Sequence, residues 1–166
     1  NAGLSGNIPI ESGYFTNLDY LNLSNNNLNG SIPTELGNLN RLKYLNLAFN
    51  QLSGNIPNSI GNLVSLEEIR LFQNELSGSI PQELGNLNAL THVNFRNNNL
   101  SGSIPASIGN LNSLEILYLH NNNLNGYIPS EIFGLTNLKR LFLHNNQLSG
   151  TLEENISDLI SLDRFR

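Results

Sequence analysis

The stretch Leu42 to Leu63, LKYLNLAFNQLSGNIPNSIGNL, is one period of a pattern that fills the chain. Pro9, Pro33, Pro57, Pro81, Pro105 and Pro129 are all the prolines present, and each stands 24 positions after the last. Gly6, Gly30, Gly54, Gly78, Gly102, Gly126 and Gly150 keep the same step, as do Leu4, Leu28, Leu52, Leu76, Leu100, Leu124 and Leu148. A fixed period of this length marks a solenoid, in which each repeat buries its apolar side only against its neighbours. The 166 residues therefore count coils of a single array and do not enclose one central core.

Outward from that stretch, the apolar positions read L-x-x-L-x-L-x-x-N-x-L. About six full repeats start near residues 18, 42, 66, 90, 114 and 138, with partial repeats at 1–17 and 162–166. Leu-x-Leu turns two side chains inward and the one between them outward, as strand geometry requires. Asn26, Asn50, Asn74, Asn98, Asn122 and Asn146 follow each strand, where an amide can pair the backbone groups of the bend in an internal ladder. Gly-x-Ile-Pro reads as a second short extended piece, with proline opening a helical turn at its first position.

This pattern resembles the leucine-rich repeat family, and the G-x-I-P-x-x-L-G-N-L half is similar to its plant-specific subtype, over essentially the whole chain. The resemblance implies an α/β solenoid, right-handed, with a concave parallel β-sheet and short helical or 3-10 turns on the convex side. Receptor-like kinase ectodomains and polygalacturonase-inhibiting proteins share the subtype. The implied function is therefore non-enzymatic recognition of a protein or peptide, outside the cell or at its surface. Family members carry cysteine-bonded caps, and this chain has none. Its departures gather at the ends: Ala2 in the ladder position, Ser12 in a core position, Phe133 for the Gly of L-G-N-L, Glu153 for proline and Ser157 for glycine. The expectation is a fragment of a longer chain, or ends that meet something, including a second copy stacking end to end into dimers or filaments.

Composition narrows the function further. A net charge of −5 argues against a nucleic-acid footprint, which is usually basic. No apolar run approaches the roughly 18 residues that a membrane span needs. Without cysteine there is neither a disulfide framework nor a thiolate metal site, and cysteine usage indicates no compartment.

Since the core positions repeat, partner choice falls to the residues between them. These form columns across the coils: Asp19, Lys43, Glu67, Thr91, Glu115, Lys139 and Asp163; Tyr20, Tyr44, Glu68, His92, Ile116, Arg140 and Arg164; Asn22, Asn46, Arg70, Asn94, Tyr118, Phe142 and Arg166. Beyond the second leucine come Ser24, Ala48, Phe72, Arg96, His120 and His144, then Asn25, Phe49, Gln73, Asn97, Asn121 and Asn145. Seven of the eight Lys and Arg but five of the thirteen Asp and Glu fall in these columns, leaving +2 on this face and −7 elsewhere. Tyr20 with Tyr44, and Tyr118 with Phe142, share columns on adjacent coils about 4.8 Å apart, within stacking reach. Outward aromatics and arginines are the residues of binding hot spots, although cross-strand ladders can also serve the sheet alone. The candidate ligand face is thus Tyr20, Tyr44, Phe49, Arg70, Phe72, His92, Arg96, Tyr118, His120, Arg140, Phe142, His144, Arg164 and Arg166, suited to a partner with an acidic group. In peptide-perceiving receptor-like kinases a similar Arg-x-Arg captures the peptide's free carboxyl terminus. Arg164-Phe165-Arg166 resembles it, and paired guanidinium groups suit a carboxylate.

Catalytic chemistry and cofactors have no support. His120 and His144 share a column, but His92 lies roughly 13 Å along the strand, and two ligands make a poor zinc site. No Ser-His-Asp set, phosphate loop or facing carboxylate pair occurs. Asn22, Asn29, Asn99 and Asn155 open N-x-Ser sequons, and a glycan on Asn22 would block the first coils. A polysaccharide or ice surface is a further reading, since a regular sheet can match an ordered lattice. The one column of small residues, Ser31, Asn55, Ser79 and Ser103, is however broken by Tyr127.

Overall fold

The computed structural model describes residues 2–152 and 154–166, apart from the side chains of 154 and 155. Asn1, Glu153 in the proline position and the side chain of Asn155, which carries a sequon, lie outside what is described.

The alternating L-x-L segments form the front sheet. Tyr20–Asn22, Tyr44–Asn46, Glu68–Arg70, His92–Asn94, Ile116–Tyr118, Arg140–Phe142 and Arg164–Phe165 pair in parallel, each with the next. The register follows the period, with Tyr20 beside Tyr44 and Leu45 beside Ile69. The middle residue of each inner strand (Leu45, Ile69, Val93, Leu117, Leu141) is 0% exposed, and the residues on either side of it face outward. One period is one coil, so residues 24 apart become side-by-side neighbours.

A second parallel sheet runs through Ser5–Asn7, Asn27–Gly30, Gln51–Asn55, Glu75–Gly78, Asn99–Gly102, Asn123–Tyr127 and Gln147–Ser149. It is built from N-x-L-x-G, earlier in the repeat than the Gly-x-Ile-Pro segment expected to be extended. Its register is displaced by two residues, placing Gly54 beside Leu76. Gly54 has φ of 74°, in the left-handed region where glycine carries no steric cost.

Short 3-10 helices close the coils: Ile10–Tyr14, Thr34–Asn38, Asn58–Asn62, Gln82–Asn86, Ala106–Asn110, Ser130–Gly134 and Glu154–Asp158. Each of the six prolines is the cap before its helix and not the first helical residue. Pro57 is extended (φ −70°, ψ 143°), and its carbonyl accepts the Ile60 N–H at 3.0 Å, which starts the turn. The coils meet closely here. A Cβ on Gly61 would lie 2.5 Å from the Glu83 carbonyl oxygen, so the third coil has no room for a side chain there. Phe133 occupies that position in the sixth coil and is itself buried.

The asparagines after each front strand join coil to coil. Asn74 Oδ1 accepts the Leu52 N–H at 3.0 Å, while its Nδ2 donates to the Leu47 and Leu71 carbonyls, both at 3.0 Å. Asn50, Asn98, Asn122 and Asn146 repeat the pattern, and Asn26 accepts from Ala2 and Leu4 at the first coil. Each amide thus meets backbone groups that the strands leave unpaired, removing the penalty for burying them. Buried Leu, Ile, Val and Phe side chains from Ile8 to Leu159 form one continuous core, against which Leu18, Leu21, Leu23, Ile128, Leu148, Ile156 and Leu162, most of them in the end coils, pack partly covered.

Candidate functional site

The outward residues of the front sheet form a grid with one row per coil. In its first rows Tyr20 and Tyr44 stack at 4.3 Å with planes 3° apart, and the Arg70 guanidinium lies 5.4 Å from the Tyr44 ring. Burial raises the Tyr44 phenol above its ordinary pKa, partly offset by Arg70. Asn22 and Asn46 fold back locally, their Oδ1 atoms accepting the N–H two residues on, from Ser24 at 3.0 Å and Ala48 at 3.1 Å. Asn46 and Ala48 are almost fully covered, so these two outward positions offer little surface.

The column Asn25, Phe49, Gln73, Asn97, Asn121 and Asn145 has a conformation that the sequence did not disclose. All six residues are left-handed, with φ between 54° and 57°. Asparagine tolerates this region and a bulky side chain does not. The amides also join in a ladder: Asn97 donates to Gln73, Asn121 to Asn97 at 2.5 Å and Asn145 to Asn121 at 2.6 Å. Phe49 alone brings an aromatic ring to this strained place, half-exposed and edge-on to Phe72 at 5.1 Å. The Arg96 guanidinium covers Phe72 at 4.4 Å.

In the later rows Tyr118 and Phe142 stack at 4.7 Å, and His120 and His144 at 4.6 Å. Arg166 lies 5.6 Å over Phe142. His120 is only 9% exposed, so it supports this surface more than it presents a ring to solvent. Burial, then the charges of His144, Arg96 and Arg166, lower its pKa to about 4, and the imidazole is neutral at pH 7. Neither His120 Nδ1 nor His144 Nδ1 has a hydrogen-bond partner. Among the described residues no three His, Asp or Glu side chains converge as a metal site.

Ion pairs across and along the coils neutralise part of the charge. Lys43 pairs with Glu67 at 3.2 Å, Arg70 with Glu68 at 2.5 Å and Lys139 with Glu115 at 2.9 Å. The Lys139 hydrogen bond holds the Glu115 carboxyl below its usual range. Arg140 reaches Asp163 at 3.9 Å, and its hydrogen bond to Tyr118 raises its pKa. Arg96, Arg164 and Arg166 have no carboxylate partner among the described residues.

At the middle of the grid lies a depression of about 330 Å³ lined by Glu68, Arg70, Phe72, His92, Asn94, Arg96, Ile116, Tyr118 and Arg140. It brings together six of the candidate residues. Tyr20, Tyr44 and Phe49 lie to one side of it, His120, Phe142, His144, Arg164 and Arg166 to the other. Asn94, Glu68 and Ile116 were not among the candidates. The dip exists because Asn94 is shorter than both neighbours in its column, Arg70 and Tyr118, a signal that was legible in the sequence. A larger depression of about 460 Å³ lies elsewhere, over the second sheet and the 3-10 turns near Asn58, Gln82 and Ser103. Its lining has no aromatic side chain and only one charged residue, Glu83.

Family models for the leucine-rich repeat match residues 17–39, 41–63, 65–87 and 90–148. The chain belongs to the leucine-rich repeat family. No curated protein sequence matches it. Solved leucine-rich repeat structures do. The ectodomain of the plant membrane receptor kinase GASSHO1/SCHENGEN3 from Arabidopsis thaliana, in complex with CASPARIAN STRIP INTEGRITY FACTOR 2, is 41% identical with a TM-score of 0.93, over 95% of this chain and 19% of that one. The Arabidopsis receptor kinase HAESA, in complex with the peptide hormone IDA and the co-receptor SERK1, is 38% identical with a TM-score of 0.92, over 95% of this chain and 26% of that one. A chain of the BIR3–SERK2 complex from Arabidopsis thaliana is 35% identical with a TM-score of 0.66, over 78% of this chain and 69% of that one. The leucine-rich repeat array described here thus spans about a fifth to a quarter of the two receptor kinase chains. No helix among the described residues is long and apolar enough to cross a membrane.

Proposed function

We propose that this leucine-rich repeat array is a non-enzymatic recognition module that binds a peptide or protein segment across the outward face of its front sheet, outside the cell. The observation that carries this reading is the concentration of stacked aromatic rings and unneutralised arginines on one continuous grid. Such amphipathic anchors lose little conformational entropy on binding, because neighbouring coils already hold them in place. Arg96, Arg164 and Arg166 favour a partner carrying an acidic group. HAESA, similar in fold and sequence, is described in complex with a peptide hormone, which supports a peptide as the partner class here.

The test begins with selection of binders from a displayed random peptide pool. Their affinity is then measured for the parent and for a Tyr118→Ala, Arg140→Ala, Phe142→Ala triple variant whose circular dichroism matches the parent. A loss of at least tenfold is expected. Unchanged affinity in the folded triple variant would show that the peptides bind elsewhere.

End-to-end association is a second reading, favoured by the exposure of Tyr14 and Phe15 in the first coil and of Leu152 and Ile160 in the last. It predicts a mass that rises with concentration in light scattering; a constant monomer mass removes it.

A further inference from the structure

The depression at the centre of the front sheet has an uneven chemistry. Its floor is apolar, from Phe72, Ile116 and Tyr118, and its one carboxylate, Glu68, is already held by Arg70. The Arg96 guanidinium lies over the Phe72 ring, 4.4 Å from its centroid, and its N–H groups have no carboxylate partner among the described residues. Arg140, also in the lining, has its carboxylate partner, Asp163, 3.9 Å away and outside the depression. Two cations thus act on a pocket with no free anion, on low-dielectric walls that strengthen their field.

Asn94 adds a second, independent observation. Asn22 and Asn46, its counterparts in two earlier coils, use Oδ1 to accept the N–H two residues on. Asn94 Oδ1 accepts nothing and is shut from water. An unmet buried acceptor costs about 1–3 kcal/mol. Because it holds no hydrogen bond, turning the amide about its broad terminal torsion to face the mouth sacrifices none. The carbonyl then stands between Arg70 and Tyr118, one outward position from Arg96. Consecutive outward positions on a strand are about 6.6 Å apart, a span that one aspartate covers with its main-chain N–H and its carboxylate, at most about 5 Å apart, once a hydrogen bond of about 2.9 Å is added at each end.

We infer that this depression is the subsite for an acidic residue of an extended peptide segment, whose carboxylate docks on Arg96 and whose main-chain N–H is accepted by Asn94. Arg140, in the same lining, adds to the attraction and excludes a basic residue. Phe72 and Tyr118 flank the aliphatic part of the side chain. A neutral Asn or Gln would gain the N–H contact and forfeit the charge-assisted one, which is the stronger. The inference deepens the peptide-recognition reading by assigning one position of the peptide, and it rests on that reading.

The subsite is tested with small probes on the whole chain. N-acetyl-L-aspartic acid N-methylamide and its asparagine analogue are titrated into uniformly 15N-labelled protein, and the Arg Nε and Asn side-chain resonances are followed by NMR. The aspartyl probe is expected to shift Arg96 Nε and the Asn94 amide saturably at millimolar concentration, and the asparaginyl probe to bind at least fivefold more weakly. Arg96→Gln should erase the preference, and Asn94→Ala should weaken both probes. Equal response to the two probes, shifts confined to Arg164 and Arg166, or no shift at Arg96 would each overturn the assignment. The two proposals fail separately. If displayed peptides protect the front sheet while the aspartyl probe leaves Asn94 and Arg96 unmoved, the subsite alone is refuted; if the probe binds there and no displayed peptide is found, the subsite stands without the wider reading.

Discussion

Replacing Asn98 by leucine takes a hydrogen-bond partner from three backbone groups between coils. Asn98 is 8% exposed. Its Oδ1 accepts the Leu76 N–H at 3.0 Å, and its Nδ2 donates to the Leu71 and Phe95 carbonyls at 3.1 Å each. Asn98→Leu keeps the branching of the side chain but leaves the Leu76 N–H unpaired, at about 1–3 kcal/mol when dry, and takes one of two donors from each carbonyl, at about 0.5–1.5 kcal/mol apiece, since Asn74 still reaches Leu71 and Asn122 still reaches Phe95. The added apolar burial returns about 1–2 kcal/mol. The net expectation is a loss of about 2–3 kcal/mol, located at the junction of the third and fourth coils, because a solenoid is held by nearest-neighbour interfaces. Asn26→Leu provides the scale: its Oδ1 receives the Ala2 and Leu4 N–H groups at an exposed edge, where water can replace it, so its cost should stay below about 1.5 kcal/mol. Urea unfolding followed by far-ultraviolet circular dichroism gives both values, and amide exchange should speed up at Leu76 in Asn98→Leu. Equal costs for the two substitutions would refute the ladder as the tie between coils.

Three further outcomes follow from the geometry. With the His120 pKa lowered from 6.5 to about 4, the unfolded chain binds more protons between these values. Its contribution to stability is therefore complete above pH 6.5 and is lost as pH falls toward 4. The full displacement corresponds to at most about 3 kcal/mol, reduced by solvent on the open side of the histidine stack to about 1–2 kcal/mol. Urea midpoints of the parent and His120→Phe, compared at pH 7 and pH 4, should differ by that extra loss in the parent; parallel behaviour would exclude His120 as the source. Gly61→Ala should cost about 2–3 kcal/mol in the same assay, because its Cβ would meet the Glu83 carbonyl, whereas Gly134→Ala, with no atom near the new Cβ, should be neutral. Phe49→Asn relieves left-handed strain worth about 1–2 kcal/mol and loses an edge contact of about 1 kcal/mol, so stability should hold or rise while affinity for selected peptides falls; a destabilisation above about 1 kcal/mol would show that the ring is structural.

The period made most of the fold legible. Proline, glycine and leucine at one fixed step establish the coil, and L-x-L establishes which residues face outward in the same column. Less legible was anything that depends on contact between coils. The second sheet comes earlier than Gly-x-Ile-Pro suggests, because its register is displaced by two residues and no single repeat contains that displacement. The left-handed column around Phe49 was hidden for a related reason: Asn, Gln and Phe in one column reveal a shared φ only once the backbone is in place. For the candidate site, aromatic and cationic character drew attention to Arg96, Tyr118 and Phe142. It drew none to Asn94, whose importance lies in being short and unpartnered between two long neighbours. Charge counting also overstated the free cations, since Lys43, Arg70 and Lys139 are paired across or along the coils.

The central claim is that recognition takes place on the outward grid of the front sheet. Its most direct test is hydrogen–deuterium exchange and cross-saturation NMR on the whole chain with and without a peptide selected from display. The account predicts protection and saturation transfer confined to the rows from that of Tyr44 to that of Arg140, strongest at Asn94, Arg96 and Tyr118. A footprint on the 3-10 turns or on the second sheet, with the front sheet unchanged, would contradict it.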